Sequence, residues 1–170
     1  MQKILILGNG GSGKSTLARK MSEILNIPVI HLDVYYWNPG WVATPDEEWI
    51  TKVEELLSGD SWIIDGNYTS TMRKRVGAAD TVIFLDMPLM LSLCRVVKRR
   101  IMYHGRSRPD MCEGCNEKLD LDFIRWILRF NKRKPQVRKE LESLRGIKNI
   151  IILRGVKQVR EFLDGLGQRS

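Results

Sequence analysis

The sequence predicts an α/β fold: a three-layer sandwich with helices on both faces of a five-stranded parallel sheet. Three observations carry this. Five short β-branched or aliphatic runs occur along the chain, and none alternates apolar with polar, so both faces of each should be buried. Segments with apolar residues at helical spacing separate the runs. A glycine-rich stretch joins the first run to the first helical segment. With 170 residues, 43% of them apolar, the chain suffices for one domain with a full core.

The first run is Lys3–Leu7, and the helical pattern Ser15–Leu25 follows it. Val29–Leu32 is the second run. Thr44-Pro45-Asp46-Glu47 announces the next helix: a Thr N-cap, Pro at the first helical position and Glu closing a capping box. Trp49, Val53, Leu56 and Leu57 continue it at helical spacing. Trp62–Ile64 and Thr81–Leu85 are the third and fourth runs. Helical patterns at Pro88–Met102, Leu121–Asn131 and Pro135–Leu144 come next, then the last run, Asn149–Leu153, and a helix over Val156–Leu163. Strands alternating with helices imply right-handed βαβ units. Tyr103–Asp120 holds neither strand nor clear helix. A lid insertion is therefore expected at about 103–120, inside a single domain spanning 1–170.

The formal net charge is +8, and it is local. Residues 95–108 hold six basic side chains and residues 125–139 hold seven, with no acid in either stretch. The rest of the chain is net acidic. Such clustering favours one specific anionic partner over a generally sticky surface. Met1–Leu7 reads as a strand, not a leader, and no apolar run approaches the roughly 20 residues of a membrane span. No membrane partner is expected. Three cysteines make a disulfide framework improbable, so the cytoplasm is the expected location.

The glycine-rich stretch is Gly8-Asn9-Gly10-Gly11-Ser12-Gly13-Lys14-Ser15-Thr16, and its first eight residues form a complete GxxxxGK[ST] phosphate loop (Walker A). Its glycines permit positive φ and let backbone N–H groups wrap phosphate oxygens. The helix N-terminus adds partial positive charge. Lys14 is expected at the β/γ-phosphates and Ser15 at the magnesium of Mg-ATP. A GTPase would need an Asn-Lys-x-Asp base reader. Asn131-Lys132 is followed instead by Arg133-Lys134. What remains is a compact phosphotransferase that draws its further cations from the basic stretches.

In open α/β sheets, ligands lie beyond the carboxyl ends of strands. Asp33, Asp65 and Asp86 fall at such ends. Asp33 is expected to face the acceptor. It would orient or deprotonate an alcohol, or help hold hydrated magnesium if the acceptor is a phosphate. Asp65 is the next candidate for the magnesium shell, and Asp86 reads as a residue leading into a helix. Tyr35, Tyr36, Trp37 and Trp41 are the densest aromatic cluster, suited equally to stacking on a ring or to packing the next helix. His31 reads as a structural histidine.

These residues resemble the P-loop nucleoside and nucleotide kinases of the adenylate kinase-like fold. A closer resemblance, over nearly the whole chain, is to the DNA topology modulation (FlaR-related) proteins. It rests on "GNGGSGKSTLA", "PVIHLD", "GWVATPDEEW", "WIIDGNY", "ADTVIFLDMP", "GRSRPDM", "EGC", "LDLDFIRWI" and "IILR". The kinase resemblance implies sheet order 2-3-1-4-5 and a helical or loop lid. It implies that "CRVVKRR" leads into that lid, with Arg95 against adenine and Arg99 against the phosphates, and that Leu153–Lys157 reads the base. "WIIDGNY" lacks the arginine that adenylate kinases carry there, for which Arg73 or Arg75 would substitute. The acceptor loop of adenylate kinases is replaced by "HLDVYYW", which argues against AMP as the acceptor.

The expected catalytic set is therefore Lys14, Asp33, Arg99, Arg106 and Arg108, with Arg129 and Arg133 as second-line cations. Cys112 and Cys115 have zinc-compatible spacing, with His104 as the one further ligand. A structural zinc site needs four ligands and these make only three, so free thiols are expected. The partner is a small-molecule or nucleotide acceptor, and the chain a monomer or homodimer. An ATP-dependent nucleic-acid-binding protein is the alternative. Trp126 and Phe130 lie among the basic residues, but their spacing is also that of an apolar helix face.

Overall fold

The computed structural model describes residues 1–168. Five parallel strands form the main sheet: β1 (Lys3–Gly8), β2 (Val29–His31), β5 (Trp62–Asp65), β6 (Thr81–Asp86) and β7 (Asn149–Arg154). Their order is β2-β5-β1-β6-β7. Counted among the sheet strands alone, this is 2-3-1-4-5, as expected. The α/β three-layer architecture is as the sequence predicts.

Strand alternation splits the core in two. Leu5, Leu7, Trp62, Ile64, Val82 and Phe84 face one layer with Trp49 and Val53 of α3 (Asp46–Leu57). Ile4, Ile6, Ile63, Ile83 and Leu85 face the other, against Leu17, Ala18 and Met21 of α1 (Lys14–Leu25) and Leu166 of α7 (Gly155–Gly167). Because both sides are covered, the strands carry no polar alternation. Truncating a fully buried residue such as Phe84 to Ala would cost about 3–5 kcal/mol.

Several local elements differ from expectation. Leu32 leaves the second strand and starts a short helix, α2 (Leu32–Tyr36), followed by a two-stranded hairpin, β3 (Trp37–Asn38) and β4 (Val42–Ala43). The capping box at Thr44 does not form. Helix α3 begins after Pro45 without a side-chain cap. The Thr44 hydroxyl instead donates to the Tyr36 carbonyl at 2.7 Å and ties the hairpin to α2. A short helix, α4 (Met72–Ala78), follows β5.

After β6, α5 covers Leu89–Met102. The two helices expected on either side of Pro135 are one helix, α6 (Leu121–Glu142). Phe130, before the proline, and Val137 and Leu141, after it, pack on the same core cluster. Lys134 and Arg138 also flank Pro135, and both pair with Asp86, at 2.9 and 3.1 Å. This shared burial and pairing offset the roughly 3 kcal/mol a proline costs a helix interior. Asp86 thus leads from β6 towards α5, as read, and in addition anchors α6.

Candidate active site

The phosphate loop is braced by two helices, α5 and α6. Gly11 has φ 72°, and a Cβ there would lie 2.3 Å from the Ser92 carbonyl oxygen of α5. A Cβ on Gly10 would meet Phe123 and Ile127 of α6. Asn9 donates through Nδ2 to the Ile127 carbonyl at 3.1 Å, and its Oδ1 accepts from Gly10 N–H at 2.8 Å. Arg95 Nη1 donates to the Ser12 carbonyl at 3.0 Å. The loop is therefore shaped before any ligand arrives, with Gly13 in left-handed conformation at the start of α1.

Lys14 Nζ donates to the carbonyls of Gly8 and Asn9, at 3.0 and 2.9 Å. Burial lowers its pKa, partly offset by Asp65 and Asp33. The Ser15 hydroxyl donates to Asp65 Oδ2 at 2.7 Å, and Asp65 Oδ1 lies 2.7 Å from His31 Nδ1. Burial pulls the His31 pKa down, but the hydrogen bond and charge of Asp65 outweigh it and hold it above its ordinary value. A hydroxyl beside a carboxylate is a hard oxygen pair of the kind magnesium takes when it rides on a nucleotide. Ser15 and Asp65 thus fit that ion.

Asp33, on α2, lines one cavity together with Lys14, Ser15 and Asp65. The Tyr68 hydroxyl donates to Asp33 Oδ1 at 2.5 Å. Burial raises the Asp33 pKa, Tyr68 works against it, and the nearby Asp65 charge adds to the rise. Tyr68 is positioned by Arg75, which is 0% exposed. Arg75 donates to the Gly66 and Tyr68 carbonyls and to the Thr71 hydroxyl. Burial lowers the Arg75 pKa to about 10. Its role is to hold the loop after β5, and Arg73 is exposed outside the cavity. Neither arginine therefore substitutes for the adenylate kinase residue.

Residues 103–120 run between α5 and α6 and carry a second cluster. Arg99 Nε donates to Glu117 Oε1 at 2.7 Å, and Arg108 Nε lies 2.6 Å from Glu117 Oε2. The Glu117 side chain is 1% exposed. Arg108 Nη1 also pairs with Asp110 at 3.2 Å. Burial would raise the Asp110 pKa, but Arg108, a Ser15 hydrogen bond and His31 hold it below the usual carboxylate value. Arg106 is exposed and does not line the cavity. Arg129 and Arg133 are likewise exposed on α6 and lie off the lining.

The β3–β4 hairpin touches this segment. Gly40 N–H donates to the Gly114 carbonyl at 3.2 Å, and Trp41 Nε1 to the Asn116 carbonyl at 2.9 Å. Next to these contacts Cys112 and Cys115 form a disulfide. This corrects the expectation of free thiols: their Cα atoms are 5.6 Å apart, within disulfide reach. His104 lies against Arg100, and no group of three metal-binding side chains occurs among the described residues.

One cavity of about 1000 Å³ gathers Lys14, Ser15, Asp33, Asp65, Arg99 and Arg108, together with Gly10–Gly13, Thr16 and Arg95. Gly8 and Asn9 frame the loop from behind. Val156 and Arg160, after β7, line the same cavity near α1. The aromatic cluster divides. Tyr36 packs with Trp49 and Tyr68, while Trp37 and Trp41 face the cavity. Glu117, Asp110, Asn67 and Tyr68 were not singled out from sequence. "WIIDGNY" and "GRSRPDM" contained three of them, but nothing in those strings says which carboxylate meets which arginine.

A gluconokinase from Sinorhizobium meliloti 1021 superposes with TM-score 0.56 and 19% identity, covering 99% of this chain and 93% of that one. The chain has the fold of the P-loop kinases. A shikimate kinase from Acinetobacter baumannii, in complex with shikimate, gives TM-score 0.62 and 18% identity over 99% and 92% of the two chains. A shikimate kinase from Bacteroides thetaiotaomicron gives 0.56 and 18% over 98% and 96%. No family model matches the chain, and no curated protein matches it in sequence. Among the described residues, no helix is long and apolar enough to cross a membrane.

Proposed function

We propose that the protein is an ATP-dependent phosphotransferase that moves the γ-phosphoryl of Mg-ATP to a small acceptor held at Asp33. The observation that carries this is the convergence of a complete phosphate loop and the Asp33–Tyr68 pair on one cavity. A protein that only bound or hydrolysed ATP would not need the second half.

Lys14 and the loop N–H groups hold the phosphates, and Arg95 and Val156 border the nucleotide's other end. Ser15 and Asp65 would hold magnesium, which when bound would supply positive charge to the phosphates. Arg99 and Arg108 meet the charge of the transferring group, and residues 103–120 act as the lid that excludes water. The acceptor oxygen bonds to the γ-phosphorus as the bond to the β–γ bridging oxygen breaks. That electron pair leaves with ADP, and an acceptor hydroxyl's proton passes to Asp33.

The nucleic-acid reading is the less favoured. The polar groups converge inside the cavity, whereas the exposed cations Arg129 and Arg133 of α6 lie off its lining. The test is ADP release from Mg-ATP across an acceptor panel. Asp33→Asn should retain ATP binding and lose acceptor-dependent release. Undiminished release in that variant would remove Asp33 from the reaction.

A further inference from the structure

We infer that Cys112 and Cys115 are a reversible thiol–disulfide site, open to a dithiol reductant, whose state sets how firmly residues 103–120 close on the β3–β4 hairpin. This goes beyond the phosphotransfer reading, and its first test needs no nucleotide.

The disulfide sits where two walls of the cavity meet. Cys115 N–H donates to the Cys112 carbonyl at 3.2 Å, so the bond closes a single tight turn. Gly114 stands in that turn at φ 82°, and a Cβ on it would lie 3.1 Å from Pro39 Cβ. The Gly114 carbonyl accepts from Gly40 N–H, and the Asn116 carbonyl accepts from the Trp41 indole. The Cys115 sulfur lies 3.2 Å from the Asn38 carbonyl oxygen. The hairpin side of these contacts carries Trp37 and Trp41, which line the cavity. On the other side Glu117, which follows Cys115 closely, holds Arg99 and Arg108. A covalent bond at this point fixes the turn in the shape that fits the hairpin.

The two sulfurs are not equivalent. Cys115 is 1% exposed, whereas Cys112 is half-buried. A thiolate of the reductant therefore attacks the Cys112 sulfur, and the S–S electron pair leaves with Cys115. The reductant's second thiolate attacks its own sulfur in the mixed disulfide and releases Cys112. The reductant is oxidised to its disulfide, the protein pair gains two electrons, and the two thiol protons end on the cysteines. Burial disfavours a Cys115 thiolate, so the sulfur is protonated and its S–H donates to the Asn38 carbonyl. A disulfide sulfur has no proton to give. Reduction thus exchanges a covalent restraint for one weak hydrogen bond, and the turn regains conformations that do not fit Pro39. The segment then opens more often.

The test compares the air-oxidised full chain with the same chain reduced by dithiothreitol. Thiol titration in urea should count one thiol, Cys94, before reduction and three after. Three at the start, or one throughout, overturns the reversible site. Trypsin cleavage at exposed Arg106, followed without ligand, should be about fivefold faster in the reduced chain. Cleavage that is equal or slower after reduction overturns the coupling to closure. The double variant Cys112→Ser, Cys115→Ser should match the reduced chain and ignore dithiothreitol. A variant that still responds would assign the effect to Cys94 and overturn the inference. Dissociation of a fluorescent ATP analogue should quicken on reduction by a similar factor. An analogue that binds neither form would sink the phosphotransfer reading, and the cleavage rates would still decide this one.

Discussion

Glu117 Oε1 accepts a hydrogen bond from Arg99 Nε at 2.7 Å, deep under the segment that follows α5. Its other oxygen lies beside Arg108, so one buried carboxylate balances two guanidinium groups. Burial, followed by the nearby Arg108 charge, lowers the Arg99 pKa, and Glu117 acts against both. Glu117→Gln would leave two cations facing each other. Removing one member of a buried ion pair costs about 3–5 kcal/mol. Thermal or urea unfolding without ligand should show a loss of that order. Saturating Mg-ATP should recover part of it, because phosphates replace the missing charge. An equal loss with and without nucleotide would mean these arginines do not face the phosphates.

Lys14→Ala tests the other end of the cavity. Lys14 has only carbonyl partners in the free protein, and burial disfavours its charge. Its removal should leave the stability of the free protein unchanged or raised. ATP affinity should fall by one to two orders of magnitude, the worth of a charged hydrogen bond at about 1.5–3 kcal/mol. Normal ATP turnover in this variant would rule out the proposed phosphate site.

Arg75→Lys keeps the charge but cannot reach three acceptors spread over Gly66, Tyr68 and Thr71. Two buried carbonyls lose their donors, and urea titration should show a loss of about 2–4 kcal/mol. Acceptor KM should rise as well, because Tyr68 is no longer fixed against Asp33. A variant of unchanged stability would show that water replaces the guanidinium.

The sheet was legible because each strand is buried on both faces, which leaves unbroken apolar runs. The phosphate loop was legible because its geometry tolerates so few residues: Gly11 could not carry a Cβ against Ser92. The hairpin at Trp37–Ala43 was not, since two-residue strands carry no period. Helix continuity through Pro135 was hidden because its cause, the pairing of Asp86 with Lys134 and Arg138, spans about 50 residues of sequence. The arginine partners were hidden for the same reason. Arg99 and Arg108 looked like free cations until folding placed Glu117 between them. Arg106, equally basic in the string, ends up exposed.

Asp33 gives the prediction with the clearest sign. Burial raises its folded pKa above the ordinary carboxylate value, so the folded state holds its proton more tightly than the unfolded chain. Stability contributed by this group is therefore greatest in acid. It is lost as pH rises from the ordinary carboxylate pKa through the raised folded one. Asp33→Asn should raise the melting temperature at neutral pH and leave it unchanged well below the ordinary pKa. The same shift sets the reaction: Asp33 must be ionised to take a hydroxyl proton, so turnover should fall on acidification through the raised value. Tyr68→Phe removes the donor that favours the ionised form. It should move that acid limb to higher pH without changing ATP affinity, and a limb that stays in place would assign it to another group.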